Sequence, residues 1–440
     1  MENKLDRFVI KCKKPDLYSS LLLIWLCEMY PLTVIKFAFS RLGLQDGLLR
    51  SALLWIIAMI PVLLFISFIK RIDLHKYMGF LALFFLVIVS MLLSIIANPT
   101  LKEFFTRENY GIERILRPDG ALYAFLFFSV FEDSNKLKKS ITTFAYLDFA
   151  YLVVVELLPA LLRGYWNDIA PDGTEMSFSY SLSFGYAVAL PTIIFFYQLI
   201  KERKPAALFF AIAGSWCVVT QGNRGALLVL FIFFVLMIIS SIIAGKLAAE
   251  KKIIIVGTIL FGLLLFLMFK DQLLVFVSDV LTKSGISSRS IRKLLNGSFT
   301  EDNGREEIWL AAIDAIKTGG LLGHGMLGDR PFIAPLHVAG YSHNLFLELL
   351  VSYGVIGFII IIIILCDAVK MILFCKHDEW RDLYIIFFSV SCQLLISMSF
   401  WYVWEFWAAA AIAYRYRELQ QQKRRKRSRR IISFCKRAED

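Results

Sequence analysis

Apolar runs long enough to cross a bilayer core of roughly 30 Å recur along the whole chain, and they constrain its fold more than any motif does. Backbone N–H and C=O groups at hydrocarbon depth must be satisfied within the protein, which leaves helices or a closed barrel. No run alternates apolar and polar residues as a barrel strand would. With 58% hydrophobic residues and 39 Phe among 440 residues, the expectation is an all-α polytopic membrane protein. About twelve transmembrane helices are expected, near 17–39, 51–69, 77–97, 119–132, 141–161, 179–200, 206–221, 225–244, 253–269, 345–366, 383–399 and 401–414. The fourth is short, and the last two share a brief stretch. This divides the chain into spans one to nine over 1–269, a polar loop over 270–344, spans ten to twelve over 345–414 and a basic tail over 415–440.

Charge supports an even number of spans. With a cytoplasmic N-terminus, the connections "KRIDLHK", "NKLKK", "KERK", "KLAAEKK" and "KMILFCKHDEWR" all fall on the cytoplasmic side. Together with the two ends they hold nearly two thirds of the 48 Lys and Arg residues, as the positive-inside rule expects. Both termini are then cytoplasmic. The cluster "KRRKRSRR" at 423–430 reads as a juxtamembrane segment attracted to anionic lipid rather than a nucleic-acid arm, so the net charge of +12 is mostly topological. Cysteines fall in cytoplasmic segments or in and beside spans, which leaves no pair to staple an external loop. The Lys-rich start resembles a signal peptide, but its apolar region is long and lacks a small-residue cleavage site, so it is expected to remain as the first span.

Polar chemistry gathers in the loop 270–344, expected to be extracytoplasmic. No phosphate-binding loop, dinucleotide fingerprint, H-E-x-x-H pair or nucleophile elbow is present, so chemistry here must rest on binding and acid/base groups. Of five histidines, His324, His337 and His343 fall outside. His343 in "YSHNLFLELL" immediately precedes a span, where a helix N-terminus disfavours imidazolium and keeps a proton acceptor neutral. The bland alternative is an interfacial cap. His324 in "GGLLGHGMLG" reads as a turn residue.

Arg305 in "NGREEIW" opens a helix-like stretch whose Ile308, Trp309, Ala312, Ile313 and Ile316 form an apolar stripe, suited to lying along the membrane surface. Glu306 and Glu307 could instead pair with it locally. Arg224 in the tight turn "QGNRGA" needs an anionic partner at the membrane boundary, or it snorkels. Arg289 and Arg292 could steer an anionic ligand, or form a solvated face. Tyr165, Trp166, Trp309 and Tyr341 could serve as sugar platforms or interfacial anchors.

"TQGNRGALL", "NGREEIWLAAIDAIKTGGLLGHG" and "YSHNLFLELLVSYGVIG" together resemble the bacterial O-antigen ligase and polysaccharide polymerase superfamily, most specifically from about 205 to 365. The resemblance implies a C-type glycosyltransferase fold in the bacterial cytoplasmic membrane. It further implies an undecaprenyl-diphosphate-linked glycan donor and acceptor, no metal or other cofactor, and work alongside a polysaccharide flippase and a chain-length regulator. By the same resemblance Arg224 and Arg305 grip the donor diphosphate, and His343 is the base or orienting group for the acceptor hydroxyl. Arg289, Arg292, Tyr341 and Asn344 are then the expected substrate-binding residues. A repeat-unit polymerase is the favoured activity, with a ligase to lipid A core as alternative. A transporter of lipid-linked glycan or solute is the alternative of another class, with Glu28, Lys36, Asp148, Glu156 and Glu405 as candidate coupling charges. A third reading is a scaffold that recruits partner enzymes.

Overall fold

The computed structural model describes residues 16–28, 30–31, 47–67, 74–107, 110–169, 175–178, 181–220, 224–243, 275, 279, 305–337 and 340–439. The expected ninth span, 253–269, and the cations Arg289 and Arg292 lie outside the described residues.

Five described helices are long and apolar enough to cross a membrane. Alongside α1 (Leu17–Cys27) and α2 (Gly47–Ser67), they include α3 (His75–Ala97). The next elements are α4 (Tyr123–Ser129), α5 (Ser134–Arg163), α6 (Leu182–Lys201), α7 (Ala206–Thr220) and α8 (Arg224–Ile243). After these come α9 (Arg305–Thr318), the single turn α10 (Arg330–Ile333), α11 (Leu345–Leu373), α12 (Asp378–Ser391) and α13 (Trp404–Glu439). The five spanning helices are α3, α5, α6, α8 and α11. The described chain is helical as expected, with one small ribbon beside the helices. Trp166–Ile169 (β1) and Glu175–Phe178 (β2) form an antiparallel ribbon, with Trp166 opposite Phe178 and Ile169 opposite Glu175, in the connection before α6.

The three spans that looked weakest in the sequence form the interior. Every residue from Ala124 to Ser129 is buried in α4, and Leu383 to Phe387 are buried in α12. Phe128 meets Phe387 edge-on at 5.0 Å, and Trp404 at the start of α13 lies 5.7 Å from Phe387 and 6.1 Å from Phe128. Helices enclosed by protein need neither full membrane length nor an apolar surface all round, which is why hydropathy marks them poorly.

Ion pairs tie one end of the bundle together. Lys138 reaches Glu202 at 3.3 Å, Lys201 reaches Asp382 at 3.8 Å, Lys76 reaches Glu132 at 2.8 Å, and Arg417 reaches Asp367 at 2.9 Å. Arg415 at the root of the basic tail also pairs with Glu132, and its Nε donates to the Phe131 carbonyl. These are the connections expected to share one side of the membrane. Tyr186, early in α6 and far from Lys201, rests against Gly225. The start of α8 therefore lies at the opposite end.

Candidate active site

The segment before α11 is built into that helix. Gly354 interrupts α11 at φ 53° and ψ −124°, a conformation for which glycine is favoured, and a methyl group there would collide with the Leu321 carbonyl. Carbonyls freed by the break accept from the incoming chain: His324 N donates to Val351 O at 2.9 Å and Gly325 N to Ser352 O at 2.8 Å. Val355 N returns a bond to Leu321 O at 2.9 Å. The kink thus satisfies its own backbone through the loop, as irregular structure at this depth requires. His324 is a structural residue in this turn, its Nε2 lying 2.8 Å from the Ala315 carbonyl.

α9 uses its apolar stripe differently from the expectation. Ile308, Ala312 and Ala315 pack with Ile333 and Val351 against α10 and α11, whereas Ile313 is 40% exposed. An apolar stripe records that something covers it, without distinguishing lipid from protein. This places Arg305, the first residue of α9, beside the mouth of α11.

Beneath that mouth lies a buried ionic cluster that sequence reasoning did not single out. Asp329 and Arg330 pair through Nη1 at 2.8 and 2.9 Å, and Arg330 Nη2 reaches Glu348 at 3.1 Å, with side chains no more than 3% exposed. Ser399 Oγ donates to Glu348 at 2.6 Å, and Ser342 donates to Asp329 through both N (2.9 Å) and Oγ (2.7 Å). Burial opposes the charge on Arg330, but the two carboxylates outweigh it and hold the guanidinium above its ordinary value. Because Ser342 adjoins His343, this cluster fixes the backbone that carries the histidine. Asp329, Arg330 and Glu348 each resemble ordinary loop or helix charges in the sequence, and no spacing rule joins them.

His343 sits at φ 50°, a strained setting for a non-glycine residue, which costs on the order of 1–3 kcal/mol. Its ring lies 4.4 Å from the Tyr341 ring and perpendicular to His337, with Nε2 3.4 Å from His337 Nδ1. Nδ1 is buried without a hydrogen-bond partner. Burial, followed by the nearby His337, Arg305 and Arg330, pushes its pKa down from 6.5 to about 3. The expected neutral imidazole is present, but burial is the main cause rather than the helix end. A group so weakly basic is better suited to accepting and aiming a hydrogen bond than to retaining a proton.

The expected site residues therefore divide. Arg305 contributes to the low basicity of His343, which puts it in the neighbourhood of that ring. Tyr341 is buried, lies under the Arg330 guanidinium at 5.2 Å, and bears on His343, which gives it a wall position. Asn344 caps α11: its Oδ1 accepts from Phe346 N and Leu347 N, and its Nδ2 donates to Leu395 O. Its amide is thus occupied by the backbone, a role that could have been read from its place before an apolar helix. Arg224 begins α8 at the same end of the bundle, half-buried, beside the Tyr186–Gly225 contact. Among the described residues, no group of three or more His, Cys, Asp or Glu could hold a metal ion.

The fold and site together define a helical membrane protein with a cationic, histidine-bearing site at one end of the bundle. Residues 206–362 match a family model described as O-Antigen ligase, in agreement with the resemblance that the motifs in this stretch carry. The matched stretch begins at α7 and ends beyond the Gly354 kink, and includes Arg224, Arg305 and His343. No curated protein and no solved structure matches the chain.

Proposed function

We propose that the protein is a glycosyltransferase of the outer face of the cytoplasmic membrane, joining undecaprenyl-diphosphate-linked oligosaccharide repeats into O-antigen, capsular or exopolysaccharide. The observation that carries this reading is a weakly basic His343 with Arg305 in its neighbourhood at one end of a membrane bundle, within the stretch matched to the family. The acceptor hydroxyl oxygen forms a bond to the anomeric carbon of the donor as the bond from that carbon to the diphosphate breaks. The hydroxyl proton passes to solvent, and the lipid diphosphate leaves with its electron pair. Arg305, with Arg224 from α8, neutralises the charge that grows on the diphosphate. Fork-shaped guanidinium donors suit phosphate oxygens, and one well-placed donor contributes about 10² to 10³ in rate. His343 accepts the hydroxyl's hydrogen bond and aims its oxygen. No step calls for a metal or other cofactor, and a flippase and a chain-length regulator would be the natural partners.

Transfer of finished glycan to a separate acceptor is the second reading, favoured by the match to a family described as O-Antigen ligase. Incubating the purified protein with lipid-linked repeat separates the two: a ladder of lengths on the carrier indicates a polymerase, and single transfer to added acceptor a ligase. Folded Arg305→Ala and His343→Ala variants that extend glycan like the parent would sink both.

A further inference from the structure

One cavity beside the site remains without a role. It encloses about 180 Å³ between the end of α1, the 110–121 segment and the turn before α13. This is below the roughly 300 Å³ at which drug-sized sites begin, so it suits a single ring rather than an oligosaccharide.

Its wall carries an acidic and a basic side chain with hydrogen-bonding capacity to spare. Glu28 is only 6% exposed, and its Oε2 is buried with no hydrogen-bond partner. Such a group is costly unless a ligand or water satisfies it. Arg114 lines the same cavity, and no hydrogen bond or ion pair to its guanidinium occurs among the described residues. Asp119 is different: Arg117 grips it through two bonds at 2.5 and 2.8 Å.

The remaining wall is aromatic and rigid. Trp25 is anchored by its Nε1 bond to Pro118 O at 2.9 Å and lies edge-on to Trp404 at 6.0 Å, and Trp401 packs on Phe400 at 4.5 Å. Tyr402 belongs both to this wall and to the candidate site. Its hydroxyl bonds with Arg330, and its ring lies 6.2 Å from that of Tyr341, which touches His343. The cavity therefore stands one pair of tyrosines away from the histidine.

Glu28 and the second carboxylate, Asp119, disfavour a phosphate, the exposed edge of Arg114 disfavours an amine, and the polar groups disfavour a lipid tail. A neutral hydroxyl-bearing ring meets every demand: its hydroxyls donate to Glu28 and accept from Arg114, while its C–H faces lie on the indoles. We infer that this cavity is a saccharide subsite, holding one sugar ring of the glycan next to the ring that reacts at His343.

The source of the ring rests on the glycan-transfer reading, but occupancy can be measured without turnover. The full chain in lipid nanodiscs is titrated with free hexoses, 6-deoxyhexoses and N-acetylhexosamines, with saturation-transfer NMR as the readout and inorganic phosphate as a competitor. At least one sugar is expected to bind. Arg114→Ala and Glu28→Leu should each weaken it about tenfold or more, and Glu28→Gln less. Arg114 makes no hydrogen bond or ion pair within the described fold, so its variant tests the inference even if the Glu28 variants fold poorly. Absence of binding by every sugar, binding indifferent to Arg114→Ala, or displacement by phosphate overturns the subsite. Sugar binding without any glycan transfer overturns the proposed function and leaves the subsite standing.

Discussion

At the end of the bundle that carries the basic tail, the ion pair between α13 and α11 sits partly exposed: Arg417 is 47% exposed and Asp367 15%. At the other end, Arg330, Asp329 and Glu348 pair at similar distances with almost no exposure. Similar distances conceal different energetics. Exposed pairs are screened and worth about 0–1 kcal/mol, whereas removing one member of a buried cluster strands the others without solvent. The exposed pair reflects topology, and the buried cluster holds a strained histidine in place.

The largest expected effect follows from that contrast. Arg330→Ala should destabilise the fold by about 3–5 kcal/mol, read as a large drop in the thermal melting midpoint in detergent. A melting curve like the parent's would erase the distinction between the two ends. Arg305→Ala should instead leave melting near the parent and lower glycan transfer by about 10² to 10³. An equal fall in both would make Arg305 part of the scaffold. Asn344→Ala should cost about 1 kcal/mol through loss of the cap, with Asn344→Asp recovering most of it.

Arg417→Ala, at the exposed end, should shift melting barely measurably. The pH profile carries the smallest expected change. A histidine whose folded pKa is depressed is neutral in both folded and unfolded chains above 6.5, and costs stability only as pH falls below that value toward about 3. Transfer rate should therefore show no inflection near 6.5 from His343. An inflection there that disappears in His343→Ala would mean the ring is far more exposed than the structure shows.

Much of the membrane architecture was legible because hydropathy reports burial directly. Five spanning helices coincide with expected runs, and the basic connections described gather at one end. The interior helices α4 and α12 were harder to read, since a helix surrounded by protein escapes the length rule that lipid imposes. Within the site, His343 and Arg305 stood out as polar residues at helix starts. Tyr341 was visible only as one aromatic among several, and Asn344 was more legible as a cap than as a ligand.

The sequence alone determined that the chain is helical and membrane-bound, that its basic connections alternate, and that its glycines and histidine fall in a patterned stretch before α11. These are local properties, set by transfer free energy and by what each residue allows its own backbone. Only the tertiary structure decided that Gly354 opens α11 to receive the 321–325 segment, that Arg305 approaches His343, and that Asp329, Arg330 and Glu348 share one dry cluster. Such contacts join segments with no fixed spacing, so they depend on packing that no local pattern encodes.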